Sequence, residues 1–170
     1  QIGLSMVGLM TAAPGGRYGA LLLLVGAGLG GAALFLFAGV ICQARGSQRL
    51  VDIAGLWRAS PFFAGLAFAG VASAAAVPGT LGFVGAALVL RSLAGDPVRI
   101  ALAAGAWLVV GASVLWAYRR VLGGSFQPGV WVHERWPRKR QVTILGLIAL
   151  VVVVAGIMPG LIAPVAGGAP

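Results

Sequence analysis

Residues 74–90 read AAAVPGTLGFVGAALVL, an apolar run with Pro78-Gly79 set into it. Proline removes a backbone donor and glycine brings no side chain to hold helical geometry, so the pair predicts a broken helix. In lipid, a break exposes N–H and C=O groups that only surrounding protein or cavity water can satisfy. No charged residue lies in this stretch to make use of them. Working outward, apolar segments recur on both sides: Gln1 to about Thr11, Tyr18 to about Gln43, Pro61 to about Val77, Thr80 to about Leu90, Ile100 to Tyr118, and Val142 to Met158. The first is shorter than the roughly 20 residues a helix needs to cross a bilayer, whereas the second is ample.

The composition fits an all-α integral membrane protein: 170 residues, 60% hydrophobic, with 28 glycines and a mean hydropathy of +1.02. The apolar runs are continuous where a barrel strand would alternate, which argues against a β-barrel. The expected architecture is about six transmembrane helices, one of them broken at Pro78-Gly79. Residues 1–160 are expected to form a single membrane domain, and residues 161–170 a flexible tail. The chain opens inside an apolar run at Gln1, the pattern of a fragment or a processed form.

The net charge of +9 comes from residues at the ends of apolar runs, with no long basic face. Lipid head groups and orientation in the membrane account for it better than nucleic acid does. Arg17, Arg45, Arg49, Asp52, Arg58, Arg91, Asp96, Arg99, Arg119, Arg120, Glu134, Arg135, Arg138, Lys139 and Arg140 all fall in linkers or at helix ends. No span holds a central ionisable residue, and proton carriers place such residues at depth to hold the moving charge. If all six segments cross, the linkers around Arg17 and from Arg119 to Arg140 share a side, and the RWPRKR cluster makes that side cytoplasmic.

Gly26 and Gly30 make a small-xxx-small pair, and Gly65, Ala69 and Ser73 repeat the spacing, so these stripes are expected to pack on protein. Trp57, Trp131 and Trp136 lie beside charged linkers, where indoles favour the interface, and Trp107 and Trp116 fall within a span. Cys42 is the lone cysteine, which excludes an internal disulfide, and it reads as a small buried thiol near a helix end. His133 and Glu134 have no nucleophile or second metal ligand nearby and read as a solvated pair. No catalytic residue, metal site or cofactor is expected in this chain.

Several landmarks together resemble the antiporter-like membrane subunits of respiratory complex I, closest to their M-type branch. QIGLSMVGL is similar to a helix carrying S-H-M-G, and GAGLGGAALFLFAGV to the H-G-L-x-x-x-x-L-F helix. IAGLWRASPFFAGL resembles the G-G-L-x-x-x-x-P start of the next helix, and VPGTLGFVGAALVL resembles L-P-G-T-x-G-F-V-G-E-F-L-V-L. Arg140-Gln141 and the following span ending in GIMPG resemble R-E and a last helix ending G-I-Y-P.

The resemblance implies a discontinuous helix beside a proton-carrying carboxylate, in the second of two five-helix repeats, plus a final helix. It also implies other membrane subunits of a respiratory assembly and lipid as partners, in a bacterial inner membrane. Its ionisable positions fall here on neutral residues: Gln1 and Ala27 for histidines, Ala86 for the carboxylate of the broken helix, and Gln141 for the acid of the R-E pair. The expected role is therefore structural. The alternatives are a proton-translocating subunit whose ionisable groups lie elsewhere, and a small independent transporter or lipid-binding protein.

Overall fold

A computed structural model describes residues 1–46, 55–123 and 139–158. The described residues form α1 (Ile2–Met10), α2 (Pro14–Arg45), α3 (Leu56–Ala59), α4 (Pro61–Ala74), α5 (Leu81–Ser92), α6 (Pro97–Leu122) and α7 (Lys139–Ile157), with no strand among them. Within α2, α6 and α7 lie three stretches long and apolar enough to cross a membrane, while α4 and α5 are shorter apolar helices. The expectations about Arg49, Asp52, Trp131, His133, Glu134, Arg135, Trp136, Arg138 and the 161–170 tail lie outside the described residues.

Local chemistry sets the helix ends. Pro14 opens α2 after an extended Ala13, and Gly46 closes it in the left-handed region, where glycine carries no steric cost. Asp96 caps α6: its Oδ1 accepts from the backbone N–H groups of Val98 at 3.1 Å and Arg99 at 3.2 Å. Its other oxygen takes the Arg99 Nε at 2.9 Å.

The arrangement of α4 and α5 follows from their contacts along α2. Phe63 stacks on Phe37 with ring centroids 5.7 Å apart. Gly70 lies against Ala33, Ala74 against Gly30, Gly82 against Gly26, and Leu88 against Gly19. Numbers rise along α4 and α5 as they fall along α2. The two short helices therefore make one interrupted crossing antiparallel to α2, with the interruption facing Gly26–Gly30 near the middle of that 32-residue helix. The third and fourth apolar segments of the sequence are two halves of a single passage, and this re-sorts the linkers between the two membrane faces.

The remaining helices build on this pair. α1 runs back along α2, with Gly8 against Gly16 and Ala20, so Gln1 lies at the level of the interruption. α6 follows α4 in the opposite sense, placing Gly111 on the Ala75 carbonyl and the Tyr118 hydroxyl on the Ala64 carbonyl. The Gly55 N–H bonds the Gly123 carbonyl at 2.9 Å, which ties the start of α3 to the end of α6. The main core gathers Phe37, Ile41, Phe63, Val71, Tyr118 and Leu145 from α2, α4, α6 and α7. Much of α6 stays uncovered, including Leu102, Leu108, Val109 and Trp116.

Candidate functional site: the interrupted helix

The interruption closes its own hydrogen bonds. The last four carbonyls of a helix have no partner within it. Here the Ala75 N–H donates to the Val71 carbonyl at 2.8 Å, the Val77 N–H to Ala72 at 2.8 Å, and the Ala76 N–H to Ser73 at 3.0 Å. The pattern of a six-to-one bond with a five-to-two bond inside it is a Schellman closure, which requires its inner residue to be left-handed. That residue is Ala76, with φ of 50°. The side-chain amide of Gln1 donates to the Ala74 carbonyl. Every carbonyl from Val71 to Ala74 is thus occupied by a protein donor.

The chain then turns at Gly79, with φ of 89°, and reaches an extended Thr80. The Thr80 hydroxyl donates to the Val77 carbonyl at 2.7 Å, and the Thr80 carbonyl accepts from Phe83 at 3.1 Å. Ser73, fully buried, donates its hydroxyl to the Gly26 carbonyl of α2 at 3.1 Å.

Glycines from three neighbouring helices press on this joint. A side chain at Gly26 would meet the Gly82 backbone at 2.8 Å, one at Gly30 the Ala74 nitrogen at 2.8 Å, and one at Gly111 the Ala75 carbonyl at 2.9 Å. At Gly156 of α7, a side chain would meet the Gly79 oxygen and the Thr80 carbonyl carbon, each at 2.5 Å. Such backbone-to-backbone contact is the close approach that small residues permit in helices.

The positions singled out in the sequence are distributed unevenly. Pro78 and Gly79 form the exposed tip of the turn. Ala86 is fully buried beside Leu23 and Ala76, with Leu4 and Trp107 packed against it. Gln1 lines a groove that Leu4 and Trp107 also line, so Gln1 and Ala86 share a neighbourhood. Ala27 is half-buried, next to Gly26. Gln141 stands apart: it is in the first turn of α7, about 22 Å along that helix from Gly156 at 1.5 Å per residue. Gly26, Gly30 and Ser73 meet at the joint, Ala69 is half-buried, and Gly65 faces open space. Cys42 is a half-buried free thiol.

Some of the joint was hidden in the sequence. Gln1 reads as a lost histidine, with nothing to show that its amide would reach 73 residues along the chain. Gly111 and Gly156 sit in runs rich in small and apolar residues, and only the tertiary approach singles them out. Tyr118 reads as the end of a span, although its hydroxyl is a buried donor.

Chemically, the site offers hydroxyls, one amide and backbone groups bonded to one another. The described basic side chains, Arg17, Arg58, Arg91, Arg99, Arg119, Arg120, Lys139 and Arg140, are exposed at helix ends, and Asp96 is half-buried at the start of α6. Among the described residues, Ser5, Ser73 and Thr80 are buried polar side chains, and the Tyr118 hydroxyl is a further buried donor. An all-helical membrane fold built around one discontinuous helix, neutral at its break, is the class that the geometry defines.

Residues 1–115 match the family described as NADH:quinone oxidoreductase/Mrp antiporter, TM. The chain belongs to that family. It is 29% identical to NADH-quinone oxidoreductase subunit M of Mycobacterium tuberculosis (strain H37Rv) over 163 residues, covering 94% of this chain and 29% of the relative. NADH-ubiquinone oxidoreductase chain 4 of Chondrus crispus is 28% identical over 164 residues, covering 94% of this chain and 32% of that protein. Among solved structures, respiratory complex I from Thermus thermophilus with bound NADH contains a chain similar to this one. The TM-score is 0.82 at 25% identity, over 95% of this chain and 34% of that one. The chain therefore spans about three tenths of the length of the relatives it matches.

Proposed function

We propose that the chain is part of an antiporter-like membrane subunit of an NADH-quinone oxidoreductase-type respiratory assembly in a bacterial inner membrane. In this reading it packs against other membrane subunits and lipid, and this portion is structural and does not itself conduct protons. One observation carries the reading: the break is closed by its own backbone and by Gln1, and Ala86 occupies the position that resembles a carboxylate. A charge at the centre of a membrane helix costs about 2.5–3.5 kcal/mol on insertion scales. With no titratable stop here, a proton passing through would bear that cost itself.

The test is reconstitution of the purified polypeptide into liposomes with a pH-sensitive dye inside. Proton flux equal to protein-free controls is expected, and a specific flux above them overturns the reading. A second reading is favoured by the share of length covered: ionisable groups outside this sequence would conduct, with this portion as their support. Flux restored by a longer polypeptide or a partner subunit, and absent from this chain alone, identifies that case.

The single interrupted passage also gives an orientation. With α4 and α5 counted as one crossing, Arg58, Arg119, Arg120, Lys139 and Arg140, with Arg45 at the end of α2, belong to one face among the described residues, and Arg17, Arg91 and Arg99 to the other. Six against three favours the first face as cytoplasmic by the positive-inside rule, where six separate crossings divide the same nine five against four. The end of α6 and the start of α7 then face the cytoplasm, and the α5–α6 turn faces away from it. In a Cys42→Ser background, Gly123→Cys should react with an impermeant maleimide only in inverted vesicles, and Gly95→Cys only in intact spheroplasts. The reverse pattern rejects this orientation.

A further inference from the structure

We propose that the cleft between α1 and α6 binds one aminophospholipid, with an acyl chain beside Trp107 and the head group at Arg99 and Asp96. This inference rests on the reading of the chain as membrane-spanning. The cleft has two connected parts. The inner part, about 450 Å³, is walled by Leu4, Val7, Leu102, Ala103 and Trp107 and reaches Gln1 at the level of the break. The outer part, about 540 Å³, is bordered by Thr11, Ser92, Asp96 and Arg99. Val7 and Arg99 line both, so the two parts run into one another.

The change of polarity along this cleft matches one leaflet. Thr11 ends α1, Ser92 ends α5, and Asp96 begins α6, so the polar end lies at the level of the helix termini. The apolar end points to the middle of α2, half a bilayer deeper. A lipid carries this same division, an apolar chain and a polar head, within a single leaflet.

Charge complementarity selects the head group. Asp96 is held in place by the cap it gives α6, through Val98 and Arg99. Its second oxygen pairs with the Arg99 Nε at 2.9 Å, and the Arg99 side chain is 73% exposed, which leaves its guanidinium open to the cleft mouth. An exposed guanidinium presents a fork of N–H donors to a phosphate. The Asp96 carboxylate, two-fifths exposed, is left to receive an ammonium. A cation and an anion side by side fit a zwitterionic head group better than an anionic one, which would meet Asp96 with like charge.

Two measurements on the purified full chain test this. In a variant retaining Trp107 as its only tryptophan, brominated phosphatidylethanolamine should quench fluorescence more strongly than brominated phosphatidylglycerol. In native mass spectrometry, one phosphatidylethanolamine should survive on the protein. Arg99→Gln should weaken its retention about tenfold, the value of one charge-assisted hydrogen-bonded contact, and Ala103→Phe should remove it by filling the cleft. Arg119→Gln, an exposed arginine at the opposite end of α6, should leave retention unchanged.

Equal quenching by the two lipids overturns the proposal, as does retention that ignores Arg99. Trp107 shielded from both lipids while crosslinking to a co-purified polypeptide means that a protein helix fills the cleft. If variants do not fold, quenching of Trp107 in the unmodified cleft still decides. Failure of the membrane reading releases the chain into an alkaline carbonate wash, whereas failure of this proposal leaves it membrane-bound without lipid preference.

Discussion

Gly85→Val protein should denature at a markedly lower detergent concentration than the parent, with a loss of about 3 kcal/mol or more. A side chain at Gly85 would meet the Leu23 nitrogen at 2.4 Å, the Leu23 Cα at 2.7 Å and the Gly19 oxygen at 2.8 Å. All three are backbone atoms, so no rotamer change relieves the clash and α5 must move off α2. Overpacking a core typically costs 1–3 kcal/mol, more when backbone has to shift. Because Gly82 lies three residues earlier on the same seam, against Ser73 and Gly26, the shift would also pull on the joint. Measured in an SDS titration of protein in mixed micelles, a midpoint within error of the parent would mean that the α2–α5 seam is looser than its contacts.

Ala86→Glu should be comparably damaging for a different reason. Ala86 has no exposed surface, and its neighbours Leu23, Ala76, Leu4 and Trp107 offer no strong polar partner. A carboxyl placed there carries both the volume penalty and the cost of a polar group at depth, together about 3 kcal/mol or more. Ala86→Met, close to it in volume but apolar, separates the two and should be milder. Normal insertion and stability of the glutamate variant would reveal a hydrated cavity beside the break, and the non-conducting proposal would fall with it.

The broad architecture was legible because lipid imposes it. Apolar length marks the spans, and Pro78-Gly79 marks the break, whatever their neighbours are. The break at Pro78-Gly79 predicts one discontinuous helix, but segment length alone also lets Pro61–Ala74 and Leu81–Ser92 be counted as separate crossings. The antiparallel register along α2, from Phe37–Phe63 to Gly19–Leu88, removes the second count. The sorting of basic helix ends depends on that register: the cytoplasmic side expected for the end of α6 is unchanged, but Arg17 no longer shares it. At the site, local chemistry announced Gly79, because a turn there needs positive φ. It did not announce Ala76, whose left-handed backbone is imposed by the Schellman closure against alanine's preference. Nor does a motif predict that Gln1 would cap a carbonyl, since that contact is made by the fold.

The contact of Gly156 with Gly79 and Thr80 bears on biogenesis. During translation, Thr80 leaves the ribosome 76 residues before Gly156 does, roughly 4–15 s at ordinary elongation rates. Throughout that interval the Gly79–Thr80 turn lacks the backbone contact that Gly156 supplies. A chain truncated before α7 never gains it, and should be degraded faster than the parent in a pulse-chase.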